Sequence, residues 1–343
     1  MQSISNIEYN ADDEQLLCKI WLFTRFIVPL PPMNVKTNSW KAWMLAARPK
    51  TLTGAAVPVM MGLAMGYSQL SSLNSQLSSL NSQLSSLNSL PALLCILFAF
   101  LMQIDANFIN DYFDWRKGTD DEHRLGPRRA CAEGWVTPEA MRWAIAVTTL
   151  AAAVVGFPLI FFGGFAMLWI GVACVVFCFL YTLLLSYIGL GDVLVLLFFG
   201  LVPVCTTFYL QTHTLTLDVV LASIACGLVI DTLLVVNNYR DRDNDCRVGK
   251  RTLVVLIGEK ATEGLYLMLG IVAFLVGGLF LCRGHYFTCF LPAIYLFLHI
   301  STWLKMKRIR HGKALNNILA ENARNMFVYG LLFSAGVVLD AFL

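Results

Sequence analysis

Charge is what this sequence has little of. Only 14% of its 343 residues are Asp, Glu, Lys or Arg, against roughly 25% in an ordinary soluble domain. Alongside 57% apolar residues, that scarcity excludes a disordered chain, a fibrous chain and a typical water-soluble enzyme. A soluble domain of this length has too little interior to hide so much apolar surface. Metal-binding cysteine patterns are missing too. Cys18, Cys95, Cys131, Cys174, Cys178, Cys205, Cys226, Cys246, Cys282 and Cys289 are scattered, mostly in apolar runs, with no CxxC and no Cys/His cluster. Neither zinc nor a disulfide framework is expected, and the cysteines read as small apolar helix residues. His213, His285 and His299 form no ligand spacing and read as isolated. The net charge of +3 gives no reason to expect a nucleic-acid partner. What remains is an all-α polytopic membrane protein.

A helix needs about 20 mainly apolar residues to cross the hydrocarbon. Nine stretches qualify, near 43–66, 90–113, 141–164, 165–187, 191–211, 216–239, 264–282, 285–304 and 324–343. With these spans, every Lys and Arg except Arg283 falls on one side of the membrane. The positive-inside rule then predicts a cytoplasmic N-terminus and an external C-terminus, with nine spans preserving the alternation. The expected location is the cytoplasmic (inner) membrane.

Residues 1–40 read as an N-terminal extension ahead of a single membrane domain, 41–343. Asp12, Asp13 and Glu14 precede a short apolar stretch broken by Lys19 and Arg25, which is not the pattern of a signal peptide. Met33 reads as a natural start, which would leave 1–32 dispensable or untranslated. Residues 68–88 are three identical copies of SQLSSLN. Their Ser and Asn content is poor for helix, so the repeat is expected to form a tolerated external loop.

Against this apolar background, acids gather at two cytoplasmic helix ends. In the first, Asn107, Asn110, Asp111 and Asp114 follow i, i+3, i+4, i+7, one helical face, and Asp120 and Asp121 follow closely. In the second, Asn237, Asp241 and Asp245 share a face, while Asp243 points elsewhere, toward solvent. Amide and carboxylate oxygens in such arrays suit Mg2+. Two acid arrays on one cavity repel unless cations lie between them, and Mg2+ bridging to a diphosphate removes that conflict. Lys50, Lys117, Arg124, Arg128, Arg240, Lys250 and Arg251 lie on the same side. They could stabilise a departing diphosphate. A polar mouth over a lipid-embedded cavity fits a polyprenyl diphosphate.

At these residues the chain resembles the UbiA superfamily of intramembrane aromatic prenyltransferases, within it the branch acting on 1,4-dihydroxy-2-naphthoate in menaquinone synthesis. The likeness covers roughly 43–343. It is carried by Ala47-Arg48-Pro49-Lys50-Thr51-Leu52 and by Asn110-Asp111-Tyr112-Phe113-Asp114 with Lys117-Gly118-Thr119-Asp120. Arg124-Leu125-Gly126-Pro127-Arg128-Arg129, Tyr181-Thr182, Gly189-Leu190-Gly191-Asp192 and Phe198-Phe199-Gly200 add to it. So do Asn237-Asn238-Tyr239-Arg240-Asp241, Asp245 and Gly249-Lys250-Arg251-Thr252-Leu253. Two departures stand out: Gly118 replaces a third acid, and Leu-Leu-Leu-Ser-Tyr follows Thr182 where Gly and Pro are expected.

The resemblance implies nine helices around a lipid-open cavity and Mg2+ held through diphosphate between the acid motifs. It implies transfer of a polyprenyl group to 1,4-dihydroxy-2-naphthoate, with loss of diphosphate and CO2, giving demethylmenaquinol. Asn110, Asp111, Asp114, Asp120, Asp241 and Asp245 become the metal candidates. Asp114, Asp241, Asp245 and Lys250 become the catalytic ones. Lys50, Lys117, Arg124, Arg128 and Arg240 become candidates for holding substrate. Tyr181 and Tyr187 could shield an allylic cation, since aromatic faces attract positive charge. Other acceptors, 4-hydroxybenzoate or homogentisate, remain alternatives, as does an ion-coupled transporter. Asp231 lies about 15 Å before Asp241 along a helix and reads as a structural, hydrogen-bonded acid. Asp105 reads as reaching the polar mouth.

Overall fold

Helices make up the architecture of the computed structural model, which describes residues 35–77, 86–119 and 124–343. The expectations for 1–32, for most of the later repeat copies and for Asp120 and Asp121 lie outside the described residues. Among the described residues there are no strands. Among the described residues of the unit Thr37–Leu343, eleven α-helices are labelled here in order. They are α1 Trp40–Ala47, α2 Leu52–Leu77, α3 Ser89–Lys117, α4 Pro138–Gly163, α5 Ala166–Leu183 and α6 Gly191–Thr212. The rest are α7 Leu217–Arg247, α8 Leu253–Ile257, α9 Glu259–Arg283, α10 Tyr286–Ile309 and α11 Leu315–Asp340. Short breaks at Pro158, Leu196–Leu201 and Pro292 interrupt α4, α6 and α10 without ending them.

Among the described residues seven helices are long and apolar enough to cross a membrane: α3, α4, α5, α6, α7, α9 and α10. The nine-span expectation is not reached by that measure. The first and last expected spans fall on α2 and α11. Helix α2 carries the Ser- and Gln-rich repeat at its end, and α11 starts with Asn316, Asn317, Glu321, Asn322, Arg324 and Asn325. The repeat corrects a second expectation. Its first copy, 68–74, is not loop but the continuation of α2, which runs to Leu77. An established helix propagates more easily than it nucleates, so weak formers can extend it.

The core lies among α2, α6, α7, α9 and α11, where Val57, Met61, Val204, Phe208, Val229, Ala273, Tyr329 and Phe333 pack together. Helix α7 is the axis of this cluster and is largely buried. Its contact with α6 is a close approach of small residues: a Cβ on Gly200 would meet the Gly227 Cα at 2.7 Å. Without hydrophobic drive between helices in lipid, such backbone contact is what holds neighbours together. Helices α4 and α5 lie outside, with Trp143, Phe161, Phe165 and Trp169 exposed. Those rings suit lipid rather than water. At 31 residues, α7 is about 46 Å long. That exceeds the hydrocarbon thickness of about 30 Å, so its acid-bearing end projects to a polar level.

Candidate active site

The first acid motif ends α3. Gly118 takes the left-handed conformation at φ 70°, and its N–H donates to the Asp114 and Trp115 carbonyls. That is a helix stop which favours glycine. It gives a local reason for glycine at position 118. Just inside the stop, Lys117 Nζ donates to the carbonyls of Thr182 (3.2 Å) and Leu183 (2.9 Å), capping the end of α5. Asn110 Oδ1 accepts from Thr182 Oγ1 at 2.6 Å. Asn107 Nδ2 donates to the Ala47 carbonyl and to Thr51 Oγ1, both at 2.9 Å, fastening the Arg48–Thr51 turn. Lys50 is exposed on that turn.

Asp111 and Asp114 differ in duty. Asp111 is fully buried and accepts the backbone N–H groups of Ala130 (2.9 Å) and Cys131 (2.8 Å), with Arg48 Nη2 at 3.5 Å. Both its oxygens are occupied, which turns a metal candidate into the anchor of the loop after α3. Asp114 faces Arg129 Nη2 at 3.2 Å and stays partly exposed. Arg128, expected to hold substrate, instead pairs with Glu133 at 3.1 Å on the surface.

The second motif ends α7. Arg240, expected to bind substrate, is buried and committed. Its Nε donates to Asp241 Oδ1 (2.8 Å), Nη1 to Asn316 Oδ1 (2.9 Å) and Nη2 to Asn237 Oδ1 (2.8 Å). It braces Asp241 and leaves its guanidinium little to offer a ligand. Asp245 Oδ1 lies 3.8 Å from Lys250 Nζ, while its Oδ2 is buried with no hydrogen-bond partner among the described residues. Asp243 is exposed, as expected.

The structure brings the two motifs together. Asp245 is an electrostatic neighbour of Asp114, Asp241, Lys250 and Arg124. The loop after α3 docks on α11 and α7: the Leu125 carbonyl accepts from Asn316 Nδ2 of α11 at 2.8 Å, and Gly126 lies against the Arg240 guanidinium of α7. Tyr187 links both halves. Lys117 Nζ stands 3.8 Å from its ring centroid and Lys250 Nζ 5.7 Å, while its carbonyl accepts from the Arg251 N–H at 3.0 Å. With the ammonium of Lys117 on the ring, Tyr187 is a poor shield for an allylic cation and a good positioner for two lysines. Tyr181 stays available for that shield. It is an electrostatic neighbour of Asp114, Asp245, Asp192 and Asp231 together.

Among the described residues no three acids, histidines or cysteines converge closely enough to chelate an ion unaided. Yet Asp114, Asp241 and Asp245 share one field, and one buried carboxylate oxygen has no donor. A divalent ion that takes its remaining ligands from a phosphate chain fits that set.

Two expectations about buried acids change. Asp105 does not reach the polar mouth: it is fully buried and accepts from Thr149 Oγ1 at 2.7 Å. Asp231, expected to be a hydrogen-bonded structural acid, has its Oδ1 buried without a donor among the described residues. Asp192, noted only within a matching stretch, is buried beside it. An acid opening an apolar span was the available signal. His299 is isolated from other ligands and stacks on Tyr266 and Tyr295.

Comparison with known proteins agrees with this geometry. Residues 55–327 match the UbiA prenyltransferase family. The chain is 35% identical over 228 residues to the 1,4-dihydroxy-2-naphthoate octaprenyltransferase of Haemophilus influenzae, covering 64% of this chain and 70% of that one. It is 32% identical over 314 residues to the Escherichia coli protein of the same name, covering 88% and 96%. The fold is similar to that of a UbiA homologue from Archaeoglobus fulgidus bound to GPP and Mg2+. The TM-score is 0.57 at 13% identity, covering 87% of this chain and 99% of that one.

Proposed function

The chain belongs to the UbiA prenyltransferase family, and from that premise we propose that it transfers a polyprenyl group from polyprenyl diphosphate to 1,4-dihydroxy-2-naphthoate, releasing diphosphate and CO2. The observation that carries this reading is the meeting of both acid motifs at Asp245, with Lys117 and Lys250 both beside the Tyr187 ring. The names of the Haemophilus influenzae and Escherichia coli relatives support the acceptor.

Asp114, Asp241 and Asp245 would hold Mg2+, with Arg129 and Arg240 keeping the first two in place. When bound, Mg2+ would offset charge on the departing diphosphate. Lys250 binds the diphosphate oxygens, while Lys117, held on the α5 carbonyls and over the Tyr187 ring, adds positive charge beside it, as does Arg124 from the loop after α3. Tyr181 faces the allylic carbon as its bond to oxygen breaks and the diphosphate leaves with the electron pair. The ring carbon bearing the carboxylate forms the new bond. Loss of CO2 then returns electrons to the ring and gives demethylmenaquinol. The prenyl tail lies between helices or in lipid. The acid-bearing mouth faces the cytoplasm, because the basic loops lie on its side, and the membrane is the cytoplasmic (inner) one.

Incubating purified protein with Mg2+, a polyprenyl diphosphate and either 1,4-dihydroxy-2-naphthoate or 4-hydroxybenzoate tests the reading. Demethylmenaquinol should appear by mass spectrometry, dependent on added Mg2+. Product from hydroxybenzoate alone would reassign the acceptor, and ion flux without diphosphate release would point to a transporter.

A further inference from the structure

Asp192 opens α6 and Asp231 lies in the middle of α7, about 15 Å below Asp241 by the helix rise. Each is more than nine-tenths buried, with relative exposures of 8% and 6%. Neither Oδ1 atom has a hydrogen-bond partner among the described residues, and each carboxylate lies in the field of the other. A small recess is lined by Asp192 together with Tyr181, Ser186, Asn238, Thr252 and Leu253. Asn238 is the neighbour of Asn237 in the second acid motif. Tyr181 is within electrostatic reach of this pair and of Asp114 and Asp245 above it. The recess therefore adjoins the site already described.

A carboxylate oxygen buried without a donor is costly, and acids inside a membrane span usually mark function. Asp111 shows how a purely structural acid looks here, with both oxygens on backbone N–H groups. Asp192 and Asp231 instead present acceptor oxygens and need an O–H or N–H donor. Of the two substrates, the diphosphate is anionic and is repelled by carboxylates, and the prenyl tail carries no donor. The acceptor ring carries two hydroxyls. The 4-hydroxyl is the one farther from the carboxylate-bearing carbon, and so the one free to reach a group beyond the reacting centre.

We propose that Asp192 and Asp231 form a buried subsite that receives the 4-hydroxyl of the acceptor and so selects a dihydroxylated ring. The proposal rests on the prenyl-transfer reading above. A site built to bond a hydroxyl strongly rejects the analogue lacking it.

The test compares 1,4-dihydroxy-2-naphthoate with 1-hydroxy-2-naphthoate in the wild type, Asp192→Leu and Asp231→Leu. The missing hydroxyl changes ring reactivity equally in all three proteins, so the ratio of the two kcat/KM values isolates the subsite. Each variant should lose about 10- to 100-fold on the dihydroxy acceptor and little on the monohydroxy one, with KM for polyprenyl diphosphate unchanged. Parallel losses on both acceptors, or no loss, overturn the proposal alone. A wild type that makes no product from either acceptor overturns the functional reading and this subsite with it. Should a variant fail to fold, 1-hydroxy-4-methoxy-2-naphthoate tests the wild type directly. It should be a poor acceptor, because its methoxy oxygen has no proton to give, and use at an equal rate overturns the proposal.

Discussion

At the end of α3, Asp111 is fully buried with backbone N–H groups on both carboxylate oxygens. At the end of α7, Asp245 is nearly as buried, yet its Oδ2 has no donor among the described residues. The two motifs read alike, each an Asn–Asp stripe on one helical face. The structure gives the first a double duty: Asp111 folds the following loop, and Asp114 faces the site. The second is braced from its own helix and from α11, through Arg240, Asn237 and Asn316. Burial alone does not separate a structural acid from a working one, whereas the count of donors on its oxygens does.

Substitution should break the likeness between the motifs. The largest effect is expected at Asp245. Asp245→Ala should cut kcat by about 1,000-fold or more while the protein stays folded, because an acid that can hold Mg2+ is removed without disturbing a bonded network. Turnover with Mg2+ titration, alongside thermal unfolding in detergent, checks both halves.

Asp111→Ala should act in the opposite sense. Two buried N–H groups and Arg48 would lose their acceptor, at roughly 3 kcal/mol. The unfolding midpoint should fall, while activity per folded molecule changes far less than in Asp245→Ala. Equal loss of turnover with an unchanged midpoint would make Asp111 a ligand instead.

A smaller effect tests the bridge between motifs. Tyr187→Leu should raise KM for polyprenyl diphosphate by about 5- to 10-fold, as the cation–ring contacts with Lys117 and Lys250 are lost. Tyr187→Phe should restore it. Failure of the phenylalanine to rescue would move the role to the hydroxyl.

The smallest effect is at the repeat. Deleting residues 75–88 leaves one SQLSSLN copy, in which Asn74 can take over the cap that Asn88 forms on α3. Turnover should stay within about two-fold of the parent. A dead protein would show that the length of α2 matters to the bundle.

Much of the site was legible beforehand because helical periodicity is local. The i, i+3, i+4, i+7 spacing places Asn107, Asn110, Asp111 and Asp114 on one face whatever surrounds them. Partners from elsewhere in the chain were not legible. Arg128 and Arg129 are adjacent and identical in type, yet one pairs with Glu133 and the other with Asp114. Arg240 looked like a substrate ligand until Asn316, 76 residues away, was found on its guanidinium. The repeat misled for a related reason: propensity argues against helix in its first copy, but α2 simply runs through it.

Composition alone settled that this chain lives in a membrane as helices, because so little charge and so much apolar surface leave no other stable arrangement. Helical spacing alone settled that acids line two helix ends. Tertiary structure decided which acids are sated and which still want a donor or an ion. That depends on distant backbone N–H groups and guanidinium ions brought within about 3 Å, and no local pattern encodes such distances.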